Sequence, residues 1–146
     1  MADLTTNKII ERLPGIPPTE YMEVDVAAGA LEINKGELIN YNADGYATTA
    51  SDSATDLAFA GIAVDALSQA AGGSDADNKI SIIPAGTGQW VKMTLATALT
   101  IITGVPSTLV YVADSSSVDL VGTTTNDVLV GTIRKWLSST EAFVEI

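Results

Sequence analysis

The chain of 146 residues is 47% apolar but only 17% charged and 5% aromatic, and 18 acidic against seven basic side chains leave a net charge of −11. It contains no cysteine and no histidine, which excludes disulfides, thiolate or imidazole metal centres, and His- or Cys-based catalysis. A surface this acidic repels nucleic acid and anionic lipid, so neither is an expected partner, and its Thr, Ser and Ala content suits exposed strands better than exposed helices.

Residues 1–21 read as an N-terminal arm ahead of a domain over residues 22–146. MADLTTNKIIERLPG carries Lys8, Glu11 and Arg12 and lacks the apolar core of a signal peptide. Two states are open for residues 2–13. One is a turn or two of helix with Ile9, Ile10 and Leu13 on one side; the other is an arm without structure of its own. Leu13–Tyr21, LPGIPPTEY, has three prolines that fix φ and remove donors, which favours an extended, docked segment.

From Met22 the period becomes two. MEVDV puts Met22, Val24 and Val26 on one face, with Glu23 and Asp25 on the other. Short strands separated by polar breaks follow over Leu31–Ile33, Glu37–Asn42, Tyr46–Thr49, Leu57–Ala66, Lys79–Ile83 and Gln89–Leu95. After a Gly-Pro interruption they continue over Leu109–Ala113, Val118–Val121, Val128–Trp136 and Glu141–Ile146. This spacing predicts an all-β fold, a small antiparallel-rich barrel or sandwich of about ten short strands. The expected inner set is Val24, Val26, Leu38, Phe59, Ile62, Ile82, Val91, Val110, Val112, Val130, Ile133 and Val144. Leu95–Ile102 fits either a short helix or a strand. Met93–Ala113 has 21 residues without a charge, but five Thr, Ser107, Gly104 and Pro106 break it, so a soluble protein is expected rather than a membrane span.

The two halves echo each other. LINYNADGYA (Leu38–Ala47) is matched by LVYVADSSSVDL (Leu109–Leu120), and Gly61 follows Asp44 by the same 17 residues (61 − 44) as Gly131 follows Asp114 (131 − 114). Each half runs strand, acid-led turn, strand, Thr/Ser/Asp tract, Gly-containing strand, loop and closing strand. Two similar four-strand units are the expectation.

The loop at Gly72-Gly73 is the first candidate site. A phosphate loop needs a second Gly and Lys-Ser/Thr ahead of a helix; Gly73–Ile80 reads GSDADNKI and leads into a strand. A calcium loop begun at Asp75 would have Lys79 at its fifth position and Gly86 at its twelfth, which fails. A looser oxygen site from Asp75, Asp77 and Asn78 is left, against the simpler reading of an exposed, mobile bend free of ligand. GTGQWV (Gly86–Val91) lacks the third Gly and the helix of a dinucleotide fingerprint. Glu20, Glu23, Asp25, Glu32 and Glu37 are the densest acid group, but alternation puts Glu23 and Asp25 on a solvated face rather than in a catalytic pair. Trp90 and Trp136, with Tyr41, Tyr46 and Tyr111, suit either a sugar-binding face or core anchoring.

Lys35-Gly36 before a short apolar strand, Asp44–Ala47, Phe59–Ala63, the Gly72-Gly73 loop and Lys79–Ile82 together resemble a family of small structural proteins of tailed bacteriophages. Its members include capsid decoration (cement) proteins and head-fibre bases. Leu109–Val112, Asp119-Leu120, Val130–Ile133 and Val144–Ile146 fit the same pattern, so the likeness covers roughly residues 34–84 and 109–146. It implies a compact barrel-like domain on the capsid exterior of a virion, often a trimer, whose partner is the major capsid protein, with no catalysis and no functional residue carried by a motif. No cofactor, metal or catalytic residue is expected. The partner-binding work, on the capsid shell or a neighbouring copy, is expected on the arm, at Ile9, Ile10, Arg12, Leu13, Ile16 and Tyr21, because prolines hold it extended and Lys8 and Arg12 are cationic in an acidic chain; the alternative is an arm packed along its own barrel. The competing functions are a carbohydrate- or cell-surface-binding module, which needs an exposed aromatic platform, and a carboxylate hydrolase, which needs two acids facing one cleft.

Overall fold

The computed structural model describes residues 21–99, 108–120 and 123–146, together with Ile10. Within them the chain is all β. The first half holds β1 (Met22–Asp25), β2 (Leu31–Ile33), β3 (Leu38–Asn42), β4 (Ala47–Thr49), β5 (Asp56–Ala63), β6 (Leu67–Gln69) and β7 (Lys79–Pro84). The second holds β8 (Trp90–Leu95), β9 (Leu109–Val112), β10 (Ser117–Asp119), β11 (Leu129–Ser138) and β12 (Glu141–Glu145). Alternation explains the strands locally: on β8, Val91, Met93 and Leu95 are buried while Trp90, Lys92 and Thr94 are half-buried or exposed.

The second half closes into a barrel in the order β10-β8-β12-β11-β9, with β10 antiparallel to β9 and parallel to β8. The first half follows the same path, β1-β7-β5-β3-β4. It curls until Val26, just beyond β1, makes a parallel bridge with Ala47 of β4. The closing hydrogen bonds match: the Ala27 N–H donates to the Ala47 carbonyl and the Ala96 N–H to the Val118 carbonyl, each at 2.9 Å.

Strand for strand, β1, β3, β4, β5 and β7 correspond to β8, β9, β10, β11 and β12. The registers agree as well. Ile39 lies opposite Gly61 and Val110 opposite Gly131, while Leu38 faces Ile62 and Leu109 faces Thr132. Met22 pairs with Ile82 and Val91 with Val144. Both pairs of strands slip by one residue at the same place, skipping Ala60 and Val130, a bulge that bends the strand round the barrel. The repeat is therefore real, but each unit has five strands rather than four. The missed members, β1 and β8, precede the units read from sequence.

The 17-residue spacing itself lines up one residue off. Tyr41 pairs with Ala47 and Val112 with Val118, so Asp44 is third after its strand partner and Asp114 only second. The first barrel also carries an insertion: β2 and β6 form a separate two-stranded ribbon. Leu57–Ala66 is accordingly not one strand, since the chain leaves the sheet at Ala63 and pairs with β2 from Leu67.

All twelve expected core residues are buried. They divide between two apolar clusters. Val24, Val26, Ile39, Ala47, Ala60, Ala63, Ile80 and Ile82 fill the first barrel, with Ile33 of the ribbon over them. The second cluster fills the other barrel and continues across a seam to Leu38, Ala50, Phe59, Ile62 and Ile83. These last residues point away from the first barrel's interior and are buried because the second barrel covers them. At about 1.5–3 kcal/mol for each fully buried large aliphatic or Phe side chain, Leu38, Phe59, Ile62 and Ile83 at the seam contribute on the scale of the first barrel's core and less than the second's. β8 ends at Leu95 without continuing as a helix over residues 96–99, and residues 100–102 lie outside the described residues, as do 1–9 and 11–20 of the arm.

Candidate functional site

The Gly72–Asn78 loop is exposed, as expected, but it is pinned at several points. Gln69 at the end of β6 is buried beneath it and donates from Nε2 to the carbonyls of Ala27 and Gly29, at 2.8 and 2.7 Å. Its Oε1 accepts from Asn78 Nδ2 at 2.7 Å. Gly73 presses against this side chain so closely that a Cβ there would lie 2.8 Å from it. The acids that suggested a cation site serve the backbone instead. Asp75 accepts the Ala28 N–H at 2.7 Å and Asp77 accepts the Ser74 N–H at 2.8 Å. Among the described residues, no group of three or more acids could hold a metal ion.

The same use of carboxylates recurs across the molecule. Asp114 Oδ1 accepts from the Ser116 N–H and from the hydroxyls of Ser116 and Ser117, closing the β9–β10 turn. Asp119 accepts from the Thr97 hydroxyl at 2.7 Å and from the Leu120 N–H at 2.9 Å. Asp56 receives Asn40 Nδ2 and the Ser51 hydroxyl. Glu37, fully buried, takes the Asn34 N–H at 2.7 Å. Glu23 and Asp25 lie on the exposed side of β1, and Asp25 makes a surface pair with Lys79 at 3.7 Å, which contributes little.

Asp52 joins the two barrels. Its carboxylate accepts the backbone N–H groups of Thr125 and Asn126 at 2.6 and 2.7 Å, and Asn126 Nδ2 donates to the Asp52 carbonyl at 2.9 Å. Partial desolvation works against ionisation of Asp52, but these amide donors outweigh it and hold its pKa below the ordinary value of 3.8. A further bond crosses the seam from the Leu38 N–H to the Ser115 carbonyl at 2.8 Å.

Trp90, Trp136, Tyr41, Tyr46 and Tyr111 are all half-buried, and Trp136 donates its indole N–H to the Leu99 carbonyl. Of the expected arm contacts, Ile10 is half-buried against the seam, in a groove lined by Gly36, Leu38, Ile62, Val91 and Met93. Tyr21 is 57% exposed. Ile9, Arg12, Leu13 and Ile16 lie outside the described residues.

The structure adds apolar surface at Leu109 and Leu129, to which the strand reading assigned no role and which are 45% and 50% exposed. Met22, read on one face with Val24 and Val26, is 42% exposed beside Tyr21 at the start of β1, while the other two are buried. The signal was present in LVYV: with Val110 and Val112 inside, Leu109 and Tyr111 must face out. Comparison with family profiles, with curated proteins and with solved structures returned no match. Function therefore rests on the chain's own chemistry.

Proposed function

We propose that this chain is a structural virion protein that binds the outer surface of a tailed-phage capsid, as a homo-oligomer, and stabilises it. The observation that carries this reading is the use of the acids. Asp52, Asp56, Asp75, Asp77, Asp114 and Asp119 each accept backbone or side-chain hydrogen bonds that fix turns, loops and the seam. Carboxylates spent in this way make a stapled scaffold rather than a general acid and base poised at one cleft. The sequence likeness to capsid decoration and head-fibre-base proteins points in the same direction, with a trimer and a contact to the major capsid protein as its implications. The arm supplies Lys8 and Arg12 for an approach to an acidic shell.

The test is sedimentation of the purified chain with phage heads before and after expansion. The reading predicts saturable binding to expanded heads, weaker or absent on unexpanded ones. Failure to sediment with either form would overturn it.

A further inference from the structure

The seam between the barrels is a contact between two unlike surfaces of one repeated fold. One surface is the outward face of the first barrel: Leu38, Phe59, Ile62 and Ile83, all at most 6% exposed. The other lies on the second barrel, where Val91 and Met93 share a groove with Leu38 and Ile62. Val91 is 2% exposed.

Each barrel should carry both surfaces, because the registers of the two barrels correspond. The counterparts of Leu38, Phe59, Ile62 and Ile83 on the second barrel are Leu109, Leu129, Thr132 and Glu145. Cross-strand pairing places them together, with Leu109 opposite Thr132 and Leu129 opposite Tyr111. The counterparts of Val91 and Met93 on the first barrel are Met22 and Val24, of which Val24 is buried and Met22 is exposed, with Tyr21 next to it in the chain. Among the described residues there are five exposed large hydrophobic side chains; three of them, Met22, Leu109 and Leu129, fall at these two unfilled positions, and a fourth, Tyr21, adjoins Met22. Within one chain the seam uses one surface of each kind and leaves Leu109 and Leu129 exposed at one equivalent position and Met22 at the other.

We infer that the Leu109–Tyr111–Leu129 face of the second barrel docks the Tyr21–Met22 edge of the first barrel of another copy of this chain, repeating the internal seam between molecules. Such a contact is head to tail, so it generates a ring where the rotation closes and a filament where it does not. Thr132 and Glu145 stand where the seam has Ile62 and Ile83, and Glu145 is paired with Arg134. The intermolecular contact thus buries less apolar surface than the seam and is the weaker, dissociable one. It does not depend on the capsid reading.

The chain contains no cysteine, so single thiols report contacts cleanly. Leu109→Cys and Met22→Cys variants of the full chain, both at exposed positions, are treated with a short bismaleimide separately and as an equimolar mixture. Head-to-tail docking predicts cross-linked dimers in the mixture, little product from either variant alone, and higher oligomers from the double variant. Sedimentation velocity over a concentration series supplies the second readout, in which Leu109→Glu and Met22→Glu each weaken self-association by about tenfold or more. Three outcomes would overturn the inference: no cross-linking in the mixture, Leu109→Cys cross-linking chiefly to itself, or a wild-type chain that stays monomeric throughout. The first and last would leave the apolar faces to the arm or to a different partner.

Discussion

Gly61 and Gly131 occupy the same position in two barrels of one chain, each beneath a carbonyl of the neighbouring strand. A Cβ on Gly61 would lie 2.1 Å from the Ile83 oxygen, and one on Gly131 would lie 2.0 Å from the Glu145 oxygen. The opposing atoms are backbone, so no side chain can swing aside and the strands themselves must part. Gly61→Ala and Gly131→Ala should therefore each destabilise the fold by about 1–3 kcal/mol or more, as overpacking does in a close-packed interior. Denaturant midpoints check this. Losses at both sites are expected, the larger at Gly61, whose φ of +154° adds backbone strain to the clash, and a neutral substitution at either would mean that the strands are not so close.

The Asp52 clasp gives the seam a pH dependence. Its folded-state pKa lies below 3.8, so the folded protein holds the proton less tightly than the unfolded chain. The contribution is complete above the unfolded value and is lost as pH falls through the lower folded one. In thermal melts between roughly pH 2 and 5, the wild type should lose its advantage over Asp52→Ala towards the acid end. A gap between the two that stays constant with pH would contradict this.

Gln69 holds the exposed loop from below. Gln69→Leu keeps the bulk but strips the Ala27 and Gly29 carbonyls and the Asn78 amide of their partner, at a cost of about 1–3 kcal/mol for groups left unsatisfied. Hydrogen exchange should rise selectively over Gly72–Asn78, with the second barrel unaffected. Uniformly faster exchange would show that the residue supports the whole fold instead.

Ile10 packs against the folded body as well as belonging to the candidate contact set. Deleting residues 2–18 should lower the melting temperature by removing Ile10 from the groove at Leu38, Ile62, Val91 and Met93. Full burial of such a side chain is worth about 1.5–3 kcal/mol, and Ile10 is half-buried, so the loss should be smaller. If the arm also carries capsid binding, the truncated chain folds but no longer sediments with heads. An unchanged melting temperature would remove Ile10 from the account of stability.

Much of the fold was legible because period-two alternation is a local property. Val24, Val110, Val130 and Ile133 could be placed inside from their own neighbours. What was not legible depended on distant segments. Leu38, Phe59 and Ile62 look like barrel interior in sequence, yet they are buried by the other barrel. β6 is three residues, LSQ, and only its pairing with β2 makes it a strand. The acids of the Gly72–Asn78 loop gave no sign of their partners, because Asp75 reaches the Ala28 amide 47 residues away. Glycine spacing, by contrast, carried long-range information, since Gly61 and Gly131 mark the same crossing of strands.

The central claim, that this scaffold stabilises a capsid, is tested most directly by heating expanded phage heads with and without saturating amounts of the purified chain and recording the temperature at which they release DNA. The account predicts a higher release temperature in its presence, abolished when the chain is omitted or replaced by the 2–18 deletion. A release temperature that the full chain leaves unchanged would contradict it.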